Sequence, residues 1–336
     1  MTQNINSMKR MDPMATTLHF LINPAAGNGK SLRVWRRIRP LLEQSGVRHA
    51  VRMTASPGEA AEFCRQLAAD RAAADHGDPF LRDIVVVIGG DGTLREAALG
   101  LLPSVPDAEG PDARLPALSF IPAGSGNDFA RGHGIPLDPV KALSNLLDAV
   151  REGRSRRIDV IRSREGGTAL SSYGAGLDAA VAVAVNRSPL KRLLGRIRLG
   201  RLAYVCLLVR VLAAYRPADA VLHVDGERHL LKGIWLASVS NIPSYGGGMR
   251  INPDAVPDDG LLDVCVVQGI TRMKLLTAFP RVYSGSHTSI AGVSFFRGRR
   301  IRLEPASPLA VHADGEDAGM TPFDLRAERS AVEIVV

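Results

Sequence analysis

Three times between residues 18 and 150 a short apolar run stops at a glycine-rich segment and gives way to a helical pattern. The runs are Leu18-His19-Phe20-Leu21-Ile22 before "NPAAGNGKS" (23–31), Ile84-Val85-Val86-Val87-Ile88 before "GGDGTLREAALGL" (89–101), and Leu118-Ser119-Phe120-Ile121 before "PAGSGNDFARGHGIP" (122–136). Apolar runs of this length read as buried strands. Strands alternating with amphipathic helices make a parallel sheet with crossover connections. In an open sheet of that kind, ligands gather at the carboxyl ends of the strands, where all three glycine-rich segments fall.

The helices between the runs carry their own signals. Leu32, Trp35, Ile38, Leu41 and Leu42 mark one face of the first. Ser56-Pro57-Gly58-Glu59 reads as an N-cap, a proline at the first helical position and a capping-box glutamate ahead of a helix over 60–74. Residues 103–116, rich in proline and acids, read as a surface loop, and Pro139 after Asp138 opens a helix to about Glu152. Beyond Arg156 the pattern changes to short strand-like segments separated by turn signals: 158–161, 170–173, 220–224, 234–239, 261–267, 301–303, 309–312 and 332–336. That spacing predicts a β-rich second domain, interrupted by a helical stretch over 187–215. The expected division is an α/β domain over 16–152, a β-rich domain over 153–318, and a segment over 319–336 returning to the first.

With 336 residues, 46% of them hydrophobic, the chain has material for two cores. Cys64, Cys206 and Cys265 are far apart and have no histidine at ligand spacing, which excludes a disulfide framework and a zinc site and fits a reducing cytoplasm. Residues 1–15 lack the apolar centre of a signal peptide, and no window offers a membrane-spanning run. The formal charge of +8 suits a polyanionic partner. Aromatic side chains for base stacking are sparse and none interleaves with the basic run, so nucleic acid is not expected. Residues 187–212 alternate Arg or Lys with Leu, Ile and Val, a pattern for a core-packed helix with solvated arginines or for an anionic membrane surface.

"NPAAGNGKS" is not a Walker A loop, because Pro24 stands where the first glycine belongs and has no N–H to give a phosphate. What remains is a glycine-rich turn entering a helix N-terminus, a plausible anion site. In the second loop, consecutive glycines let the main chain approach a phosphate, Asp91 offers a carboxylate to a metal or ribose, and Thr93 offers a cap to the next helix. In the third, Asn127 and Asp128 stand at a helix start. Two Asp-Gly-Glu triplets, 225–227 and 314–316, both read as β-turns, and at least one is structural only.

Taken together and in this order, the three loops resemble the soluble diacylglycerol kinase catalytic-domain family, which includes bacterial lipid kinases and is related to sphingosine and ceramide kinases. The similarity continues through "SSYGAGLDAAV" (171–181), "GRLAY" (200–204), "NPDAVPDDGLLDV" (252–264) and "VHADGE" (311–316). It implies an N-terminal open α/β nucleotide-binding domain of the NAD-kinase and diacylglycerol-kinase type, followed by a β-rich, β-sandwich-like lipid-binding domain, with the active site in a cleft between them. It implies an ATP- and Mg²⁺-dependent lipid kinase of phospholipid metabolism, cytoplasmic and peripheral to the inner face of the membrane, with oligomeric state open and a homodimer among the possibilities.

By motif, the resemblance assigns Asn23, Pro24, Ala25, Ala26, Gly27, Thr54, Gly89, Gly90, Asp91, Gly92, Thr93, Leu94, Arg95, Glu96, Ser125 and Asn127 to ATP. Arg95 and Ser125 depart from the usual Asn and Thr. It selects Asp314 and Glu316 as the acid–base pair, with Glu316 the proton acceptor, and leaves Asp225 and Glu227 as turn residues. It assigns Asp259, with the carbonyls of Val256 and Leu261, to a divalent cation, and Asp159 to an acidic network around that loop. The competing readings are a catalytically silent nucleotide- and lipid-binding regulator on the same fold and, less favoured, an NAD kinase.

Overall fold

The computed structural model describes residues 16–73, 82–102, 115–187 and 200–336. The expected loop at 103–116 falls almost wholly outside the described residues, as do residues 1–15 and most of the basic part of 187–212. Two compact units emerge, 1–158 with 330–336 and 159–329, and the chain passes between them twice.

In the first unit β1 (Thr16–Ile22), β2 (His49–Met53), β3 (Arg82–Gly89) and β4 (Ala117–Pro122) form a parallel sheet in the order β4-β3-β1-β2. The central strands are apolar because helices cover both faces: Ile84 to Ile88 are buried without exception. The helices are α1 (Lys30–Gln44), α2 (Glu59–Ala73), α3 (Asp91–Leu101), α4 (Asp128–Gly132) and α5 (Pro139–Glu152). In α1 the buried stripe is Ser31, Val34, Trp35, Ile38 and Leu42, while Leu41 is exposed. The expected face was therefore off by a fraction of a turn, and Val34 rather than Leu41 completes it. The expected capping box at Ser56 does not form: Gly58 turns at φ 88° and α2 begins only at Glu59, whose carboxylate instead ties back to the entry by accepting the Ser56 hydroxyl at 2.7 Å and the Ala55 N–H at 2.8 Å. Asp138 caps α5 by accepting the N–H groups of Val140 and Lys141.

The second unit is mostly antiparallel. Its strands are the later part of β5 (Arg156–Ser163), β6 (Thr168–Ala169), β7 (Ser172–Gly176), β8 (Ala218–Val224), β9 (Glu227–Ser240), β10 (Leu262–Gln268), β11 (Val293–Gly298), β12 (Arg300–Pro305), β13 (Ala310–Ala313), β14 (Glu316–Met320) and the earlier part of β15 (Phe323–Ile334). The ladder β14-β13-β7-β9-β8-β12-β15 carries β10 and β11 as a branch from β9. Strand alternation divides the side chains between two cores. Val264 and Val266 of β10 join Leu222, Ile301, Val311 and Leu325 on one side. Cys265 and Val267, one residue out of phase, join α6 (Leu177–Arg187) and α7 (Gly200–Ala214) on the other. α8 (Arg272–Ala278) and α9 (Arg281–Ser284) complete the second core through Leu275, Leu276 and Val282.

Among the described residues no helix is long and apolar enough to cross a membrane.

Candidate functional site

In the first unit the three glycine-rich loops are fastened to one another. The Asn23 side-chain amide donates to Thr93 Oγ1 at 2.9 Å, and Asn23 Oδ1 accepts the Ala25 N–H at 3.0 Å, joining the first loop to the second. Asp91 joins the second to the third: its carboxylate accepts the N–H of Asn127 at 2.7 Å and of Phe129 at 3.2 Å. Asp91 is therefore an anchor for main chain, and Thr93, inside α3, accepts from Asn23 rather than capping the helix, whose N-cap is Gly90. Glu96 accepts the Gly58 N–H at 3.1 Å, tying in the segment after Thr54, whose own N–H extends the β1 ladder to Ile22.

The glycines have a packing reason. A Cβ on Gly27, at φ +58°, would lie 2.2 Å from the Ala123 carbonyl oxygen, and one on Gly124 would lie 2.6 Å from Gly90 Cα. All three loops thus approach main chain to main chain, leaving Gly92 and Ser125 exposed at the surface. Ser31 of the Gly-Lys-Ser sequence is buried and donates to the Asn23 carbonyl, a structural tie and not a phosphate contact.

In the second unit both Asp-Gly-Glu triplets form tight hairpin turns with two residues in the left-handed region: Asp225 and Gly226 at φ 51° and 92°, Asp314 and Gly315 at 50° and 82°. Both aspartates accept backbone N–H groups from a neighbouring segment. Asp225 takes Arg299 and Arg300; Asp314 takes Leu170 at 2.7 Å, Ser171 at 2.8 Å and Ser172 at 3.0 Å. The two turns are twins in backbone, and only their surroundings differ. Glu227 lies near His229 on an exposed hairpin. Glu316 is exposed beside a turn whose other face is buried, and it makes no side-chain hydrogen bond among the described residues.

That buried face contains residues not singled out in the sequence. His312, 2% exposed, faces Asp178 at the start of α6, with His312 Nε2 3.2 Å from Asp178 Oδ2; the Tyr245 hydroxyl donates to the same oxygen at 2.8 Å. Asp178 is the one carboxylate, among the described residues, on the wall of an apolar cavity of about 90 Å³, lined by Leu177, Val181, Leu212, Met249, Phe279 and Ile290 among others. Burial and the Asp178 charge hold the Tyr245 phenol well above its ordinary range, so it stays a donor. The only hint in the sequence was a histidine between Val311 and Ala313 in an alternating strand.

The loop 252–264 is pinned by Asp159, which is buried and accepts the Gly260 N–H at 2.6 Å; its own N–H donates to the Pro257 carbonyl. Asp259 accepts the Leu261 N–H and pairs with Arg297, which also approaches Asp263 at 3.5 Å. Burial pushes Asp263 up to about 6; Arg297 opposes that and the like charges of Asp259 and Asp254 add to it. Its Oδ2 is buried without a hydrogen-bond partner. Among the described residues no three His, Cys, Asp or Glu side chains converge to hold a metal. A site of one carboxylate and main-chain carbonyls does not need them, but both Asp259 oxygens are engaged here, one by the Leu261 N–H and one by Arg297, so a hard cation on Asp259 would have to replace Arg297.

Comparison with known proteins identifies the family of the two units. Residues 17–163 match the diacylglycerol kinase catalytic domain, and residues 171–336 match the YegS C-terminal NAD kinase beta sandwich-like domain. The chain is 31% identical to "Putative lipid kinase YtlR" of Bacillus subtilis (strain 168) over 327 residues, covering 94% of this chain and 98% of that protein. It is 32% identical to a diacylglycerol kinase of Mycobacterium tuberculosis (strain CDC 1551 / Oshkosh) over 319 residues, covering 94% and 93%. The crystal structure of "a putative diacylglycerol kinase" from Bacillus anthracis str. Sterne has the same fold, with a TM-score of 0.73 at 21% identity, over 100% of this chain and 98% of that one.

Proposed function

Because the chain belongs to the bacterial lipid kinase family built on the diacylglycerol kinase catalytic domain, and is a lipid kinase, we propose that it transfers the γ-phosphate of ATP to the hydroxyl of diacylglycerol or a similar lipid alcohol. The observation that carries the choice of acceptor is the apolar cavity, which has Asp178 on its wall, joined through His312 to the strand that leads into the Asp314-Gly315-Glu316 turn. An acyl chain is the ligand such a wall recognises, and a single carboxylate on an apolar wall orients a polar head.

The glycine-rich loops supply the other substrate's site. Main chain of Asn23 to Gly27, Thr54, Gly89 to Glu96, Ser125 and Asn127 frames the phosphates of ATP, with the N–H groups of the first α3 turn directed at negative charge. Asp91 and Thr93 act by holding these loops together. Glu316 takes the proton of the acceptor hydroxyl as the oxygen attacks phosphorus, and Asp314 fixes the turn from which Glu316 projects. Mg²⁺ supplies charge neutralisation to the phosphates, and a second cation on Asp259 with the carbonyls of Val256 and Leu261 stabilises the loop that Asp159 pins. Lipid substrate places the enzyme at the cytoplasmic surface of the membrane as a peripheral protein.

The test is transfer of labelled γ-phosphate from ATP with Mg²⁺ onto a panel of lipid alcohols in mixed micelles, wild type beside Glu316→Gln. A labelled lipid made by wild type alone supports the reading. ATP binding without any labelled lipid refutes it.

A further inference from the structure

We propose that His312 is a positioning residue for phosphoryl transfer: its two ring nitrogens couple Asp178, on the wall of the cavity, to the turn that carries Asp314 and Glu316. This assignment rests on the lipid-kinase reading above.

The bonding fixes the tautomer. The Gly315 N–H donates to His312 Nδ1 at 3.3 Å, so Nδ1 is the acceptor and the proton resides on Nε2, which donates to Asp178 Oδ2 at 3.2 Å. A flat, buried ring thus spans from a carboxylate on the cavity wall to the central glycine of the turn. Its place leaves no slack. A Cβ on Gly174, the cross-strand neighbour of His312, would lie 2.6 Å from both His312 Nε2 and Asp178 Oδ2. The Tyr245 ring packs tilted against the imidazole, with centroids 5.6 Å apart.

Asp178 has both oxygens engaged before any ligand arrives: Oδ1 accepts the Ala179 N–H, and Oδ2 is shared by Tyr245 and His312. A lipid head that hydrogen-bonds Asp178 alters that sharing, and the rigid ring carries the change to Gly315, next to Glu316. The twin turn at 225–227 has the same backbone and the same aspartate anchoring but no such histidine; its residue two before the aspartate, His223, pairs instead with Glu304 near the surface. The coupling therefore belongs to the 314–316 turn alone of the two.

Two conservative variants separate the two bonds. His312→Gln keeps a donor near Nε2 for Asp178 and removes the acceptor of the Gly315 N–H; His312→Asn keeps an acceptor near Nδ1 and loses the reach to Asp178. The measurement is kcat, lipid KM and ATP KM in diacylglycerol mixed micelles, with melting temperature and ATP affinity recorded for each protein. For a single neutral hydrogen bond, His312→Gln should lose about ten-fold in kcat with both KM values within about two-fold. His312→Asn should raise lipid KM by about five-fold or more with kcat largely kept, and Tyr245→Phe, which relaxes Asp178 from its other side without touching the turn, should shift lipid KM in the same way.

Folded variants with wild-type kcat and lipid KM overturn the assignment. So does a parallel fall of melting temperature, kcat and both affinities in both histidine variants, which marks a core histidine only. A wild-type protein that binds ATP and phosphorylates no lipid overturns the underlying reading, and the assignment with it.

Discussion

Asp91 Oδ2 accepts the main-chain N–H of Asn127 at 2.7 Å, so a carboxylate at the start of α3 holds the turn that opens α4, 36 residues away. With Phe129 as second donor, one side chain positions two of the three glycine-rich loops. Asp91→Ala leaves two half-buried N–H groups without an acceptor and should destabilise the first unit by about 2 kcal/mol. ATP affinity should fall with it, and Asp91→Asn should keep part of both; calorimetric titration with ATP beside thermal melting checks this.

Glu316→Gln and Glu227→Gln test whether twin turns have different duties. The first should lose about a hundred-fold or more in kcat with ATP affinity kept, as expected for removal of a general base. The second, on an exposed hairpin, should match wild type. Initial-rate phosphorylation with both variants settles the assignment, and the reverse pattern would sink it.

His133 packs tilted against Phe129 with ring centroids 4.1 Å apart, and Arg156 donates to its Nδ1 at 3.0 Å. Burial, with the Arg156 charge in support, pushes its pKa down to about 3 from the ordinary 6.5. The folded imidazole is therefore neutral where the unfolded one takes a proton. Its contribution is complete above pH 6.5 and is lost as pH falls from there toward 3. Between about pH 7.5 and pH 5 wild type should lose about 2 kcal/mol relative to His133→Gln, read from denaturant unfolding at both pH values.

Asp263 carries the opposite sign. A carboxyl raised to about 6 binds its proton more tightly folded than unfolded, so its burial costs stability as pH rises through 3.8 to 6 and the cost persists above. In a chelator, Asp263→Asn should melt at a higher temperature than wild type at pH 7.5 and show no advantage at pH 3.5. Mg²⁺ should raise the melting temperature of wild type and fail to raise that of Asp259→Asn; an equal rise in both would remove the cation from this loop.

Much of the first unit is legible because its signals are local. A proline after Asp138 and an unbroken β-branched run each act within a turn or a strand, and the structure realises them as read, whereas the Ser56 capping box fails because Gly58 turns at φ 88° and delays the helix to Glu59. Leu41 failed because helical spacing marks a face to within a residue, and only packing against a neighbour decides whether Leu41 or Val34 lies inside. Asp178 and His312 were beyond reach for another reason. They are 134 positions apart, and the ladder order β14-β13-β7-β9 that puts β13 beside β7, and so His312 beside the start of α6, is not the order of the chain. The same holds for Arg297 on Asp259, 38 residues apart across loop and strand. Pair geometry of this kind is set by topology, and composition carries no trace of it.

The chain leaves the first unit near Ile158 and comes back to it at Ser330, where Val335 donates its N–H to the Leu118 carbonyl and accepts the Ser119 hydroxyl. The strand that borders β4 is thus synthesised only after the whole of residues 159–329. While the second unit is being made, the nascent first unit has an open β4 edge, the kind of edge that captures other chains. Removing residues 330–336 would accordingly damage the sheet that carries the glycine-rich loops, more than three hundred residues away along the backbone from where that sheet begins.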